Sequence, residues 1–146
     1  MKKLVLVVAV VIMATMSSLV LVGCSIDREE MIGHWEITRS EMSGRNFAID
    51  VRPGDPLFYE VAGYMILESD GTYTMQLGNE FFSGTWSLSG RRITFTFNQF
   101  GVTVTDRFDV RFDNAGNLLL SQSARIPELG GRVDMTLTFT LVASDS

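Results

Sequence analysis

Between Gly63 and Phe97 the chain alternates apolar and polar residues in four short runs, interrupted at Asp70-Gly71, Gly78-Asn79 and Ser89-Gly90, about every ten positions. A side-chain period of two belongs to a strand with one buried and one solvated face, and Gly, Asn and Asp between such runs meet the backbone demands of tight hairpins. This stretch predicts a meander of antiparallel strands, and the rest of the chain must fit it.

The pattern continues downstream. From Val102 to Phe112, Val102, Val104, Phe108, Val110 and Phe112 oppose Thr103, Thr105, Arg107, Asp109 and Arg111. From Val133 to Val142, Val133, Met135, Leu137, Phe139 and Leu141 oppose Asp134, Thr136, Thr138 and Thr140, with a shorter run at Asn117 to Gln122 between them. Gly33 to Thr38 makes a first strand with Trp35 and Ile37 on its apolar face. That gives about eight strands and no long helix, and all three prolines fall between strands, as ladder hydrogen bonding requires. Eight antiparallel strands joined mainly by tight turns leave two open edges unless the sheet closes. The expected fold is therefore all-β: an eight-stranded antiparallel up-and-down barrel with a short N-terminal helical turn. A β-sandwich is the alternative, but it normally uses more long crossovers than the two available, near residues 39–62 and 123–131.

The N-terminus has a different composition. Lys2 and Lys3 precede an uncharged stretch from Leu4 to Val22 that ends in Leu21-Val22-Gly23-Cys24. Basic, then apolar, then small is the order of a secretory signal, although the stretch also approaches the roughly 20 apolar residues that span a bilayer. Leu21-Val22-Gly23-Cys24 resembles the lipobox of bacterial lipoproteins, which implies lipid on the Cys24 thiol and cleavage between Gly23 and Cys24. Cys24 is the only cysteine, so no intrachain disulfide competes for it. Two acyl chains anchor stably where one is marginal. An uncleaved anchor helix is the alternative, and both place the domain outside the cytoplasm at the cell membrane or outer membrane. Loss of residues 1–23 removes both lysines and no acid, leaving ten arginines against 17 acids and a net charge of −7. Such a surface does not attract nucleic acid or anionic headgroups.

The expected organisation is a signal peptide over 1–23, a lipidated N-terminus and helical tether over 24–32, a barrel over 33–142 and a tail over 143–146. Within the tether, Asp27 and Glu30 have the spacing of a capping box, with Ile26 and Met31 as its hydrophobic staple. Nine positions separate Cys24 from Gly33, so at ~3.3 Å per extended residue the barrel sits within about 30 Å of the bilayer. Residues 39–62 break the alternation, holding Gly44, Pro53, Gly54 and Pro56 among Phe47, Ile49, Val51, Leu57, Phe58 and Tyr59. That much apolar content argues against disorder and for a flap over the domain, or for a further pair of irregular strands.

The residues as a set resemble the lipocalin-like domains of bacterial lipoproteins: the lipobox, Gly33-His34-Trp35 opening the first strand, Ser69-Asp70-Gly71-Thr72-Tyr73, and Ser83-Gly84-Thr85-Trp86-Ser87-Leu88. The resemblance spans residues 31–142. It implies an eight-stranded barrel closed at one end by a helical turn, Gly33 and Trp35 at that closed end, and a small apolar ligand inside. Thr105-Asp106-Arg107 is the nearest approach to the family's Thr-Asp-Tyr signature, and no Arg follows the last strand.

The chemistry left to the chain is limited. His34 is the single histidine and falls on the polar face opposite Trp35, too few for a multi-histidine metal site and without a third partner for a Ser nucleophile. Asp113 to Asn117 has the oxygen donors of a calcium loop but no later Glu, and reads better as a turn. No catalytic residue, metal site or cofactor is assigned, and no enzyme activity is expected. Asp106 stands out because it falls among core-facing positions. It either points inward, where a carboxylate must be paired or protonated and would hold a ligand's polar head, or is turned out by a β-bulge. Nine aromatics, Trp35, Tyr73, Phe82, Trp86, Phe95, Phe97, Phe108, Phe112 and Phe139, should point inward, which favours a largely filled barrel with any cavity small and near the flap. Trp86, Tyr73 and Asp106 are the candidate ligand contacts. The expected function is a membrane-tethered binding module for a small apolar or amphipathic molecule. The alternative is a packed barrel that engages another envelope protein as inhibitor or scaffold.

Overall fold

A computed structural model describes residues 26–142 of the chain. The signal peptide expected over 1–23, Cys24 and the tail over 143–146 lie outside these residues, and no described helix is long and apolar enough to cross a membrane. One helical turn, α1 (Arg28–Met31), precedes nine strands: β1 (Gly33–Ser43), β2 (Ala48–Val51), β3 (Gly63–Leu67), β4 (Thr72–Leu77), β5 (Glu80–Ser89), β6 (Arg92–Gln99), β7 (Val102–Phe112), β8 (Leu118–Ile126) and β9 (Gly131–Leu141). Every neighbouring pair is antiparallel, and β1 pairs with β9, so β1 and β3 to β9 close an eight-stranded barrel. The ninth strand, β2, shares an edge of β1 with β3: Gly33 to Glu36 pair with β3, and Ser40 to Ser43 pair with β2.

The segment over 39–62, read as a flap, divides into three pieces. Arg39 to Ser43 prolong β1, Ala48 to Val51 return beside it, and a 3-10 turn at Pro56–Glu60 carries the chain to β3. The break in the sequence pattern has a local cause. Ile37 pairs with Phe139 and Arg39 with Thr138, leaving Thr38 as an extra residue in a β-bulge. An extra residue reverses the facing of everything beyond it. Trp35 and Ile37 therefore point into the barrel from odd positions, while Ser40 and Met42 do so from even ones. Arg39 and Glu41 now face outward, where the Arg39 guanidinium holds Asp50 through two hydrogen bonds of 3.0 and 2.8 Å. Those bonds, with a further one from Arg52, hold the Asp50 carboxyl down at about 2.

Barrel curvature depends on Gly63 and Gly84, where a Cβ would lie 1.7 Å from the Gln76 carbonyl oxygen and 2.0 Å from that of Thr96. Backbone approaches that close exclude any side chain. Gly84 thus accommodates the backbone of the neighbouring strand at Thr96 and Phe97.

One end of the barrel is sealed. Asp27 caps α1 by accepting from the Glu29 amide at 3.1 Å, one residue earlier than the capping-box spacing suggests. The Ile26 amide donates to the Gly90 carbonyl at 3.1 Å, which fixes the turn beneath the β5–β6 hairpin. Met31, Leu67, Ile93, Leu118 and Phe139 are fully enclosed there. Trp35 packs among them against Phe112 at 6.2 Å between ring centres, and its indole N–H donates to the Met31 carbonyl at 2.9 Å.

Candidate functional site

Toward the other end the interior opens into a cavity of about 560 Å³. All nine aromatics named from the alternation belong to the core or pack against it, yet they leave the open half unfilled: Tyr73, Phe82, Phe95, Phe97 and Phe108 line the cavity there. The expectation of a largely filled barrel with a small cavity near the flap is corrected as to the size of the cavity. At the open half the inward positions of β1, β7 and β8 carry Ser40, Asp106 and Gln122, and the bulge at Thr38 is what brings Ser40 inward. Short or polar side chains there leave space that large apolar ones would have occupied.

The wall of the cavity is mainly aromatic and aliphatic. Phe82 and Phe97 meet edge to face at 5.3 Å between centres, Phe95 and Phe108 at 5.9 Å, and Tyr73 leans on Phe95 at 4.8 Å. Met75, Leu120, Met135 and Leu137 complete the deeper wall, while Glu60 and Val61 of the loop before β3, with Asn79 and Glu80 of the β4–β5 turn, border it. The Gly78 amide donates to the Ala62 carbonyl at 2.7 Å, which holds that loop to the turn.

Asp106 faces the cavity. Strands β6 and β7 pair without a register break from Arg92↔Asp109 to Gln99↔Val102, so no bulge turns it outward. The Gln122 side-chain amide donates to one carboxylate oxygen of Asp106. Asp106 forms no ion pair with any described residue, and no Lys, Arg or His lines the cavity.

Tyr73 also lines the cavity and is 3% exposed. Its hydroxyl makes no hydrogen bond to another described residue, yet no sealed side-chain oxygen or nitrogen among the described residues lacks a partner, so this hydroxyl opens onto the cavity. Removal from water, and secondarily the charge on Asp106, push the phenol up to about 12. It stays protonated, a donor and acceptor facing an apolar space.

Trp86, the third candidate contact, lies elsewhere. Strand β5 runs from the mouth at Glu80 toward the sealed end at Ser89, so position 86 faces inward below the cavity. Its ring is 4% exposed, its N–H donates to the Glu68 carbonyl at 3.0 Å, and the Arg28 guanidinium lies 4.5 Å from the ring centre. Trp86 and Tyr73 share an inward facing but differ in depth along the barrel, and only Tyr73 reaches the cavity. Gln122 and Ser40 were missed, the first as an ordinary strand polar residue, the second because of the bulge.

The other residues weighed for chemistry are at the surface. His34 is exposed and contacts Tyr64 edge-on at 5.5 Å. The Asp113 carboxylate turns into its own loop, accepting from the amides of Ala115 and Asn117 at 2.9 Å and from the Asn117 side chain at 3.0 Å. No cluster of three or more potential metal ligands occurs among the described residues. No family model, curated protein or solved structure matches the chain.

Proposed function

We propose that this protein is a membrane-tethered, extracytoplasmic lipocalin-like binding module that carries a small apolar or amphipathic molecule in the open half of its barrel. The observation that supports this reading is the cavity itself. Its 560 Å³ falls within the roughly 300 to 1,000 Å³ typical of small-molecule sites, and its wall combines apolar surface with a few convergent polar groups. Those groups, Tyr73, Asp106, Gln122 and Ser40, come from four different strands.

The tether gives the site an orientation. Ile26 is hydrogen-bonded at the sealed end, two positions after Cys24. With lipid on Cys24, the sealed end faces the bilayer and the mouth opens away from it. Ligand then exchanges with the extracytoplasmic space or with another envelope component, not directly with the anchoring membrane. A second reading, contact with an envelope protein, draws on the apolar side chains around the mouth, among them Phe81 and Phe100, which is 96% exposed at the β6–β7 tip.

Mass spectrometry of the full chain, extracted gently from its own membrane, tests both. A small molecule released on denaturation supports the carrier, and a stoichiometric protein supports the second reading. If neither is recovered and no apolar fluorescent probe binds the folded chain, the carrier function is wrong. Cys24→Ser should leave an uncut precursor, while wild type partitions into detergent.

A further inference from the structure

The cavity has a sign. Three carboxylates line it, Asp106 inside and Glu60 and Glu80 at its border, and no cationic side chain does. Asp106 is partly withdrawn from water, and its one polar contact with a described residue is the neutral Gln122 amide. A carboxylate accepts at about four lone-pair positions, so Asp106 retains acceptor capacity toward the cavity. A charge partly withdrawn from water gains from an ionic partner, and no described residue supplies one. Nearby stands the Tyr73 hydroxyl, 3% exposed by residue, unpartnered and open to the same space. Phe82, Phe95, Phe97 and Phe108 also line the space, and an aromatic ring attracts a cation, not an anion, over its face.

We infer that the ligand is an amphipathic cation: an apolar body bearing an amine, whose ammonium is held by Asp106 and Tyr73. This rests on the carrier reading above and narrows it. An ammonium N–H donates to the free Asp106 oxygen and to the Tyr73 hydroxyl oxygen, while the apolar body lies against the Phe and Met side chains. Glu60 and Glu80 at the border raise the local concentration of cations and repel carboxylates. The same arrangement disfavours fatty acids, since a carboxylate head would meet three like charges and no Arg or Lys.

The test uses three molecules with one shared body, phenylbutylamine, phenylbutanol and phenylbutanoate, titrated against the full chain in nanodiscs of zwitterionic lipid, with empty discs as the blank. The amine should bind roughly tenfold more tightly than the alcohol, the scale of one charge-assisted hydrogen bond, and the carboxylate should bind most weakly. Asp106→Asn should erase the advantage of the amine and leave the alcohol within about twofold. Should that variant fold poorly, the wild-type order stands as a test, and Glu60→Gln with Glu80→Gln at the border should weaken the amine and not the alcohol. Equal binding of all three, or preference for the carboxylate, overturns the cationic ligand and leaves the carrier intact. If none of the three binds, the carrier reading fails, and the cationic ligand with it.

Discussion

The two ends of this barrel are built from the same eight strands with the same alternation, and they do opposite things. At the sealed end, α1 places Met31 over the opening and Trp35 fills the space beneath, so Met31, Leu67, Ile93, Leu118 and Phe139 lose essentially all contact with solvent. At the other end the inward positions hold Ser40, Asp106 and Gln122, and a cavity remains. Alternation decides which face is interior but not whether the interior is full. That depends on side-chain volume at each depth and on what covers the ends.

Truncating one aromatic at each end tests the contrast, beginning with the largest effect. Trp35→Ala removes the central packing element of the sealed end together with its hydrogen bond to Met31, and should cost about 3 to 5 kcal/mol. Against a total stability of about 5 to 15 kcal/mol this approaches unfolding. Phe82→Ala removes a ring that already faces a void on one side, so fewer contacts are lost and the cost should be about 1 to 2 kcal/mol. Urea unfolding of both variants measures the difference. Equal losses would mean that the open half is packed as tightly as the sealed one.

Much of this plan was legible in the residues. The Gly78 and Gly90 turns, the alternation in β7 and β9, and the inward set from Trp35 to Phe139 predict closure of an antiparallel barrel, because each feature is local and periodic. The bulge at Thr38 was not legible. It is one residue of register between strands a hundred positions apart, and nothing in Ile37-Thr38-Arg39 marks it. Missing it hid the inward facing of Ser40 and Met42 and made the prolonged β1 look like the start of a flap. The β6–β7 turn falls in the break between the runs ending at Phe97 and starting at Val102, but with half the usual signal: Phe100 takes a φ of 53° beside Gly101, where Asn or Gly is common. For the site, Tyr73 and Asp106 were identified by facing, whereas Trp86 was misplaced because depth along the barrel follows from strand pairing, which one strand's sequence does not contain.

A smaller effect isolates what holds Trp86 at the sealed end. The Arg28 guanidinium lies 4.5 Å from the ring centre and also donates to the Ser69 carbonyl at 3.0 Å, so it ties α1 to the β3–β4 turn. Arg28→Ala should cost about 0.5 to 1 kcal/mol, the range for a partly exposed cation–π pair. In a Trp35→Phe background, where Trp86 is the only indole, its fluorescence should shift on the same substitution. An unchanged spectrum would mean that Arg28 does not rest on the ring in solution.

The smallest effect at neutral pH, and the one most specific to the open half, concerns Tyr73. Its hydroxyl has no partner among the described residues to lose, so Tyr73→Phe deletes a polar group without orphaning another and should change stability by less than about 0.5 kcal/mol at pH 7. The difference should emerge in alkali. Burial and the nearby Asp106 charge push the folded phenol up to about 12 from an ordinary value of 10.0. Above 10 the unfolded chain releases this proton while the folded protein keeps it, so the folded state binds more protons and stability falls as pH rises. The contribution of the neutral phenol is complete below 10 and is lost as pH climbs through the folded value near 12. Wild type should therefore lose stability between these values faster than Tyr73→Phe, which has no such proton. Urea midpoints for the two proteins, followed upward from pH 9, measure the gap. Parallel curves would mean that the Tyr73 phenol ionises as it does in water, and that water and charge reach the wall of the cavity as freely as the outer surface.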